Sequence, residues 1–204
     1  MTRSVALFGA TGRVGSELLK RLIHDGVSVK ALIRDPSKLM LSDSLTVIQG
    51  DVMDYAEVEQ CVADTQMVYV CLGTWGNKTT QLYSMGTDNI VMAMKLHGVK
   101  RIVCLSSAGI FGYDGGFFGR VIVPLTLWRP FRDKRQQAKV LEASGLDWTL
   151  VRPTEIKTAK PRGSLVVTYH KMASASISMV TLIDFLANEQ FNSENIGKMP
   201  IIGD

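Results

Sequence analysis

Residues 6–15, Ala-Leu-Phe-Gly-Ala-Thr-Gly-Arg-Val-Gly, constrain this chain more than any other stretch. An apolar run leads in. Gly9, Gly12 and Gly15 follow, and Val14, Leu18, Leu19, Leu22 and Ile23 then recur at helical spacing. Glycines between a strand and a helix permit a tight turn, close approach of a pyrophosphate to the backbone, and close packing of helix on strand. The helix start also offers free N–H groups and the positive end of its dipole to phosphate. The spacing is G-x-x-G-x-x-G, not G-x-G-x-x-G. A glycine-rich turn with no ligand has the same local pattern, so the rest of the chain must decide.

The rest of the chain repeats the strand–helix alternation. Strands are expected at Val27–Ile33, Ser44–Asp51, Gln66–Gly73, Arg101–Ser107 and Asp147–Pro153. Helices are expected at Tyr55–Ala63, at about Thr80 to His97 with Gly98 as its stop, and at Phe131 to Ser144 with Gly145 as its stop. Near-continuous apolar strands fit a sheet covered on both faces. The expected fold is α/β: a Rossmann-like, doubly wound, mostly parallel sheet with helices on both faces. Beyond Pro153 the alternation weakens to a strand near Gly163–His170, a helix from Ser178 as N-cap, and a last strand near Lys198–Gly203. One NAD(P)-binding domain over 1–204 is expected, with 154–204 added on the substrate side.

Composition excludes several classes. The net charge of +4 is spread along the chain and forms no dense Lys/Arg block, which argues against nucleic acid. The three cysteines, Cys61, Cys71 and Cys104, form no CxxC pair, and the three histidines lie far apart, so no metal site is expected. Apolar stretches break well before the roughly 18 residues of a membrane span. A strand beginning in the first residues leaves no room for a signal peptide. The expectation is a cytoplasmic protein with reduced thiols.

The end of the second strand selects the dinucleotide. An acidic residue there bonds the ribose 2′-hydroxyl of NAD, whereas an arginine favours the 2′-phosphate of NADP. The sequence reads Ile33-Arg34-Asp35-Pro36-Ser37-Lys38. Arg34 comes first, Lys38 follows a turn later, and Arg13 is within reach of the same region. Guanidinium pairs with phosphate as a fork. NADP(H) is therefore favoured over NAD(H), although a shift of one residue brings Asp35 to the ribose instead. Asp51 and Val52 after the third strand, and Gly73 after the fourth, fall at carboxyl ends where ligands bind in open α/β sheets.

Together, "GATGRVG", "IRDPSKL", "GDVMD", "VCLGT", "NIVMAMKLHGVKRIVCLSSAG" and "SGLDWTLVRP" resemble the atypical short-chain dehydrogenases/reductases. They are most similar to the NAD(P)H-binding, NmrA-like branch that includes biliverdin-IXβ reductase/flavin reductase. The resemblance implies that Gly9, Thr11, Gly12, Arg13 and Val14 wrap the pyrophosphate and that Arg34 and Lys38 meet the 2′-phosphate. It implies Asp51 and Val52 at the adenine, and Leu72, Gly73 and Thr74 along the ribose chain. Ser107, more than Ser106, matches the serine beside the nicotinamide, and the backbone of Arg152, Pro153 and Thr154 borders the ring.

The chain departs from the family at one position. Ordinary members carry Y-x-x-x-K, a tyrosine proton donor four residues before a lysine. Lys134 is suitably placed, but Pro130 stands where the tyrosine belongs. A hydride acceptor such as a flavin or quinone has no need of that phenol. Tyr113 is a candidate substitute. The aromatic, glycine-rich stretch 109–131, with Phe111, Phe117, Phe118 and Trp128, follows the fifth strand and suits a wall or lid for a flat acceptor. The reading is an NADPH-dependent oxidoreductase acting on a flat conjugated acceptor (flavin, quinone or tetrapyrrole-like), with Ser107, Lys134 and Tyr113 as catalytic candidates. A monomer or weak homodimer is expected. The alternatives are an NADP(H)-binding redox sensor without catalysis, or a sugar-nucleotide epimerase or dehydratase.

Overall fold

The computed structural model describes residues 3–38, 42–74, 81–112, 123–161, 163–172 and 174–204, with backbone alone at 38 and 123–128. The elements run β1 (Ser4–Phe8), α1 (Arg13–His24), β2 (Ser28–Ile33), β3 (Leu45–Gln49), α2 (Tyr55–Val62), β4 (Met67–Val70), α3 (Leu82–Leu96), β5 (Arg101–Leu105), α4 (Val123–Ser144), β6 (Asp147–Pro153), β7 (Glu155–Lys157), β8 (Val166–Thr168), β9 (Ser176–Ser178), α5 (Met179–Asn188) and β10 (Ile201–Gly203). Short 3₁₀ turns cover Pro36–Lys38 and Ala108–Phe111.

The main sheet has the order β3-β2-β1-β4-β5-β6-β10-β8. Its pairs are parallel except the last, β10 with β8. The strand order reverses at β1, which has β2 on one side and β4 on the other, and such a reversal opens a crevice at the carboxyl edge.

Alternate residues of each strand face opposite layers. Val5, Leu7, Val29, Ala31, Tyr69, Val103 and Val151 pack with Leu18, Leu22 of α1 and Leu182, Leu186 of α5. Ala6, Phe8, Val68, Val70, Ile102, Cys104 and Leu150 pack with α2, α3 and α4 through Val58, Ile90, Met94 and Leu141. The phenol of Tyr69 pins the first layer by donating to the Leu186 carbonyl at 2.9 Å. At the opposite, amino edge, Arg101 and Glu189 form a buried ion pair at 2.7 Å.

The doubly wound fold expected from the alternation is present, and Gly98 and Gly145 follow α3 and α4 where stops were placed. One expectation shifts, and one strand pair was not expected at all. Helix α4 begins at Val123 and carries Pro130 in its interior, whereas the sequence suggested a start at Phe131. Proline favours the first helical turn, so it marks a false start when tertiary packing carries a helix through it. The unexpected pair is β7 with β9, joined in parallel outside the main sheet. Three residues each are too few to show a period of two.

Candidate cofactor and active site

The β1–α1 turn is built by backbone contact. Gly9 has φ +88°, and a Cβ there would run into the Cys71 carbonyl at the end of β4. A Cβ on Gly15 would strike the Gly9 carbonyl. The fold itself thus requires both glycines. Gly12 is different, since its Cβ would lie 3.2 Å from the Gly9 oxygen, a contact a small shift relieves. A Cβ on Gly73, which is exposed, would meet nothing within 4 Å among the described residues. Packing therefore gives Gly73 no reason to be glycine, which leaves room for a ligand to run along that backbone.

The start of α1 differs from its neighbours. Asp54 accepts from the N–H groups of Ala56 and Glu57 in α2, and Ser178 accepts from Thr181 N–H in α5. In α3 the cap comes from α4, since Asp133 accepts from the N–H groups of Tyr83 and Ser84 at 2.8 and 3.2 Å. Helix α1 has Gly12 as N-cap, no side-chain cap bond and no acidic residue in its first turn. Its dipole end faces the crevice between β1 and β4, and among the described residues no side-chain oxygen caps it. Arg13 and Thr11 are exposed there, and Val14 is buried beneath. A diphosphate fits that arrangement.

Arg34 leaves β2 exposed. The Asp35 carboxylate beside it accepts from Ser37 N–H at 3.2 Å and Ser37 Oγ at 2.7 Å, closing the 3₁₀ turn. After β3, Asp51 donates its N–H to Glu57 at 2.7 Å and accepts from Met53 N–H at 3.0 Å. Val52 is buried, its carbonyl held by Asn89 of α3 at 3.0 Å. Gly86 lets α3 approach until a Cβ there would lie 3.0 Å from Val52. Arg13 does not join Arg34. Its guanidinium donates to the Ile156 carbonyl at 2.9 Å, on β7, which follows β6 at the other side of the crevice. The side chain reaches whichever carbonyl lies near, and sequence spacing carries no sign of that choice.

The other end of the crevice is assembled from side chains. Ser106 N–H continues the ladder to Val151 at 2.7 Å, so the pleat turns Ser106 to the α4 face along with Cys104. Among the described residues its buried hydroxyl has no hydrogen-bond partner. Ser107, the serine expected to be the closer match, is half-buried and leads into the 3₁₀ turn without a side-chain cap bond. Thr154 turns its hydroxyl to the Ile202 carbonyl at 3.2 Å, which leaves its backbone as the part able to border a ligand. Pro153 is buried against β10. The Arg152 guanidinium donates to the Met199 and Tyr169 carbonyls and lies 5.5 Å from the ring centre of Phe111, which is 53% exposed. Arg135 holds the same 3₁₀ turn through the Ile110 carbonyl at 2.8 Å. Tyr113 lies outside the described residues, as do Phe117 and Phe118.

Lys134 projects from α4 with its ammonium 5.0 Å from the ring centre of Tyr83. Burial in the helix pair pushes its pKa down to about 8. Burial pushes the thiols the other way, Cys61 and Cys71 up to about 12 and Cys104 well up, so none of them supplies a thiolate at neutral pH. Among the described residues no His/Cys/Asp/Glu group forms a metal site, and no helix is long and apolar enough to cross a membrane. A cavity of about 520 Å³ between β8 and α5 contains none of the expected site residues.

Sequence reading missed Tyr83, Asp133, Asn89 and Gly86. Each lies in a helix whose presence was expected, but its partner is 34 to 50 residues away or on another element.

Comparison with known proteins agrees with this geometry. The chain is 28% identical over 182 residues to an uncharacterised chloroplastic protein of Arabidopsis thaliana, covering 81% of the chain and 64% of that protein. It is 27% identical over 150 residues to a (4-alkanoyl-5-oxo-2,5-dihydrofuran-3-yl)methyl phosphate reductase of Streptomyces griseus, covering 73% of the chain and 46% of that protein. The chain thus spans about half the length of these curated relatives. Its fold matches a short-chain dehydrogenase/reductase of Veillonella parvula in complex with NADP, with TM-score 0.83, 17% identity, and 100% and 95% of the two chains covered. A family model described as NAD(P)H-binding matches residues 9–189, from the first glycine of the turn to the end of α5, and the chain belongs to that NAD(P)H-binding family.

Proposed function

We propose that the chain is an NADPH-dependent reductase acting on a flat conjugated acceptor, a flavin, a quinone or a tetrapyrrole-like molecule. The observation that carries the cofactor half is the open start of α1 at the point where the strand order reverses. Gly9, Thr11, Gly12, Arg13 and Val14 hold the diphosphate through backbone N–H groups. Arg34, with Lys38, holds the 2′-phosphate. The engagement of Asp35 with Ser37 supports NADP over NAD, because that carboxylate is already turned into its own loop. Asp51 and Val52 flank the adenine, and Leu72, Gly73 and Thr74 line the ribose chain. When bound, NADPH supplies the hydride.

The protein's contribution to the reaction is placement and exclusion of water. Ser106 or Ser107 orients the nicotinamide or the acceptor, and the orphaned hydroxyl of Ser106 supports the former residue. Lys134 supplies positive charge near the ribose. Phe111, exposed and backed by Arg152, offers a stacking surface. The joining of β10 and β8 to the sheet supports one domain over 1–204, with 154–204 on the substrate side. The resemblance to the NmrA-like, flavin-reductase branch supports the same acceptor class. The free, buried thiols fit a reducing compartment, and a cytoplasmic protein is proposed. A monomer or weak homodimer completes it.

Pro130, in place of a phenol donor, favours a second reading: a sensor that binds NADP(H) without turnover. The two separate when the protein is mixed with NADPH and FMN, then with a quinone, and the nicotinamide absorbance is followed. Acceptor-dependent loss of absorbance supports the reductase. Tight NADPH binding without loss for either acceptor supports the sensor.

A further inference from the structure

We infer that Tyr83 is a positioning residue for the cofactor, clamping the turn after β4 at Thr74, and that it is not a proton donor. The inference rests on the reading that Leu72, Gly73 and Thr74 line the ribose chain.

Ordinary relatives with Y-x-x-x-K have their phenol on the same helix as the lysine, and Pro130 removes it here. A phenol nevertheless lies beside Lys134, on the neighbouring helix. Tyr83 is 3% exposed and is held at three points. Its N–H donates to Asp133 at 2.8 Å, and the Lys134 ammonium lies 5.0 Å from its ring centre. Its oxygen accepts the Thr74 N–H at 3.1 Å and lies 3.2 Å from Thr74 Oγ1. Two consecutive residues of α4 thus hold the backbone and the ring, and the tip of the ring holds Thr74.

A phenol has one proton. Its oxygen accepts from Thr74 N–H, and either hydroxyl of the Tyr83–Thr74 pair can donate to the other. In the proposed clamp the phenol proton goes to Thr74 Oγ1, the other acceptor in reach among the described residues. That commitment leaves none to deliver to an acceptor. The clamp has a task at this place because a Cβ built on Gly73 would meet nothing within 4 Å among the described residues, so side-chain packing does not fix that position. Tyr83 supplies the constraint one residue later. Lys134 then has two functions, charge near the ribose and a cation over the ring that fixes the clamp.

Tyr83→Phe retains the ring and the lysine contact and removes only the hydroxyl. NADPH affinity of the wild type and the variant is measured by titration calorimetry, with steady-state kinetics on the same preparations. The expected result is about a 5- to 30-fold loss of NADPH affinity, as for an orphaned backbone donor. The acceptor KM, kcat and its pH profile stay within about twofold of wild type. Thr74→Val is the second variant. Combined with Tyr83→Phe it adds nothing, because the hydroxyl pair is already broken. A kcat collapse of about 100-fold or more at unchanged NADPH affinity makes Tyr83 a proton donor and overturns the inference. Unchanged affinity and kcat, or additive losses in the double variant, also overturn it. Absence of dinucleotide binding in the wild type sinks the cofactor reading itself and is seen before any variant is made.

Discussion

The two ends of the carboxyl-edge crevice are made from different materials. The proposed phosphate end is backbone: the β1–α1 turn, the start of α1 without a side-chain cap, and the close approach of Gly9 to Cys71. The proposed reaction end is side chains from distant segments: Ser106, Phe111, Arg152, and Lys134 with Tyr83 and Asp133. A backbone site is secured by the packing that makes the fold, so stability and binding are inseparable there. A side-chain site can be dismantled one group at a time while the sheet stays intact.

The strongest test of that contrast is Gly15→Ala or Gly9→Ala. Each forces a Cβ into backbone carbonyl atoms, and the expected loss is about 3 kcal/mol or more. That corresponds to a melting temperature lower by roughly 6–12 °C for a chain of this size. Calorimetric or urea unfolding reads it, and a variant as stable as wild type breaks the claim that the fold requires these glycines. Arg34→Ala tests the side-chain element at the same end. NADPH affinity should fall about 10- to 100-fold, the effect of losing one charge-assisted bond, with NADH affinity unchanged. Equal losses for both dinucleotides would remove Arg34 from the 2′-phosphate.

The reaction end has a pH signature. Lys134 is charged below about 8 and neutral above it, against an ordinary value of 10.5. NADPH affinity should weaken several-fold as pH rises through 8. Folding stability should move the opposite way. Between about 8 and 10.5 the unfolded chain keeps the proton that the folded chain has lost, so stability rises with pH across that window. The penalty is fully present below 8. Lys134→Met should flatten both profiles, and a variant retaining either slope assigns that slope to another group. The smallest effect sharpens the comparison from inside the crevice. Gly73→Ala should leave the unfolding midpoint within about 0.5 kcal/mol of wild type, because no atom lies near the new Cβ. It should still lower NADPH affinity several-fold. A change in stability without a change in affinity would make Gly73 a folding glycine like Gly15.

Legibility follows the same division. The glycine turn, the strand after which Arg34 falls, and the cap at Ser178 were readable because each depends on residues within about four positions. Pro130 misled because helix continuation through a proline is a tertiary decision. Arg13 was expected near Arg34 and instead meets Ile156, 143 residues away. The Tyr83–Asp133 contact spans 50 residues, and neither residue has a local pattern that names the other.

Periodicity and turn chemistry alone determined the doubly wound architecture and the glycine turn between β1 and α1, since backbone geometry at each is dictated by neighbouring residues. Which serine turns toward α4, where the Arg13 guanidinium goes, and that a tyrosine from one helix meets a lysine from another were decided only in three dimensions. Those contacts depend on how α3 and α4 settle on the sheet, and the packing of two helices is set by every side chain between them.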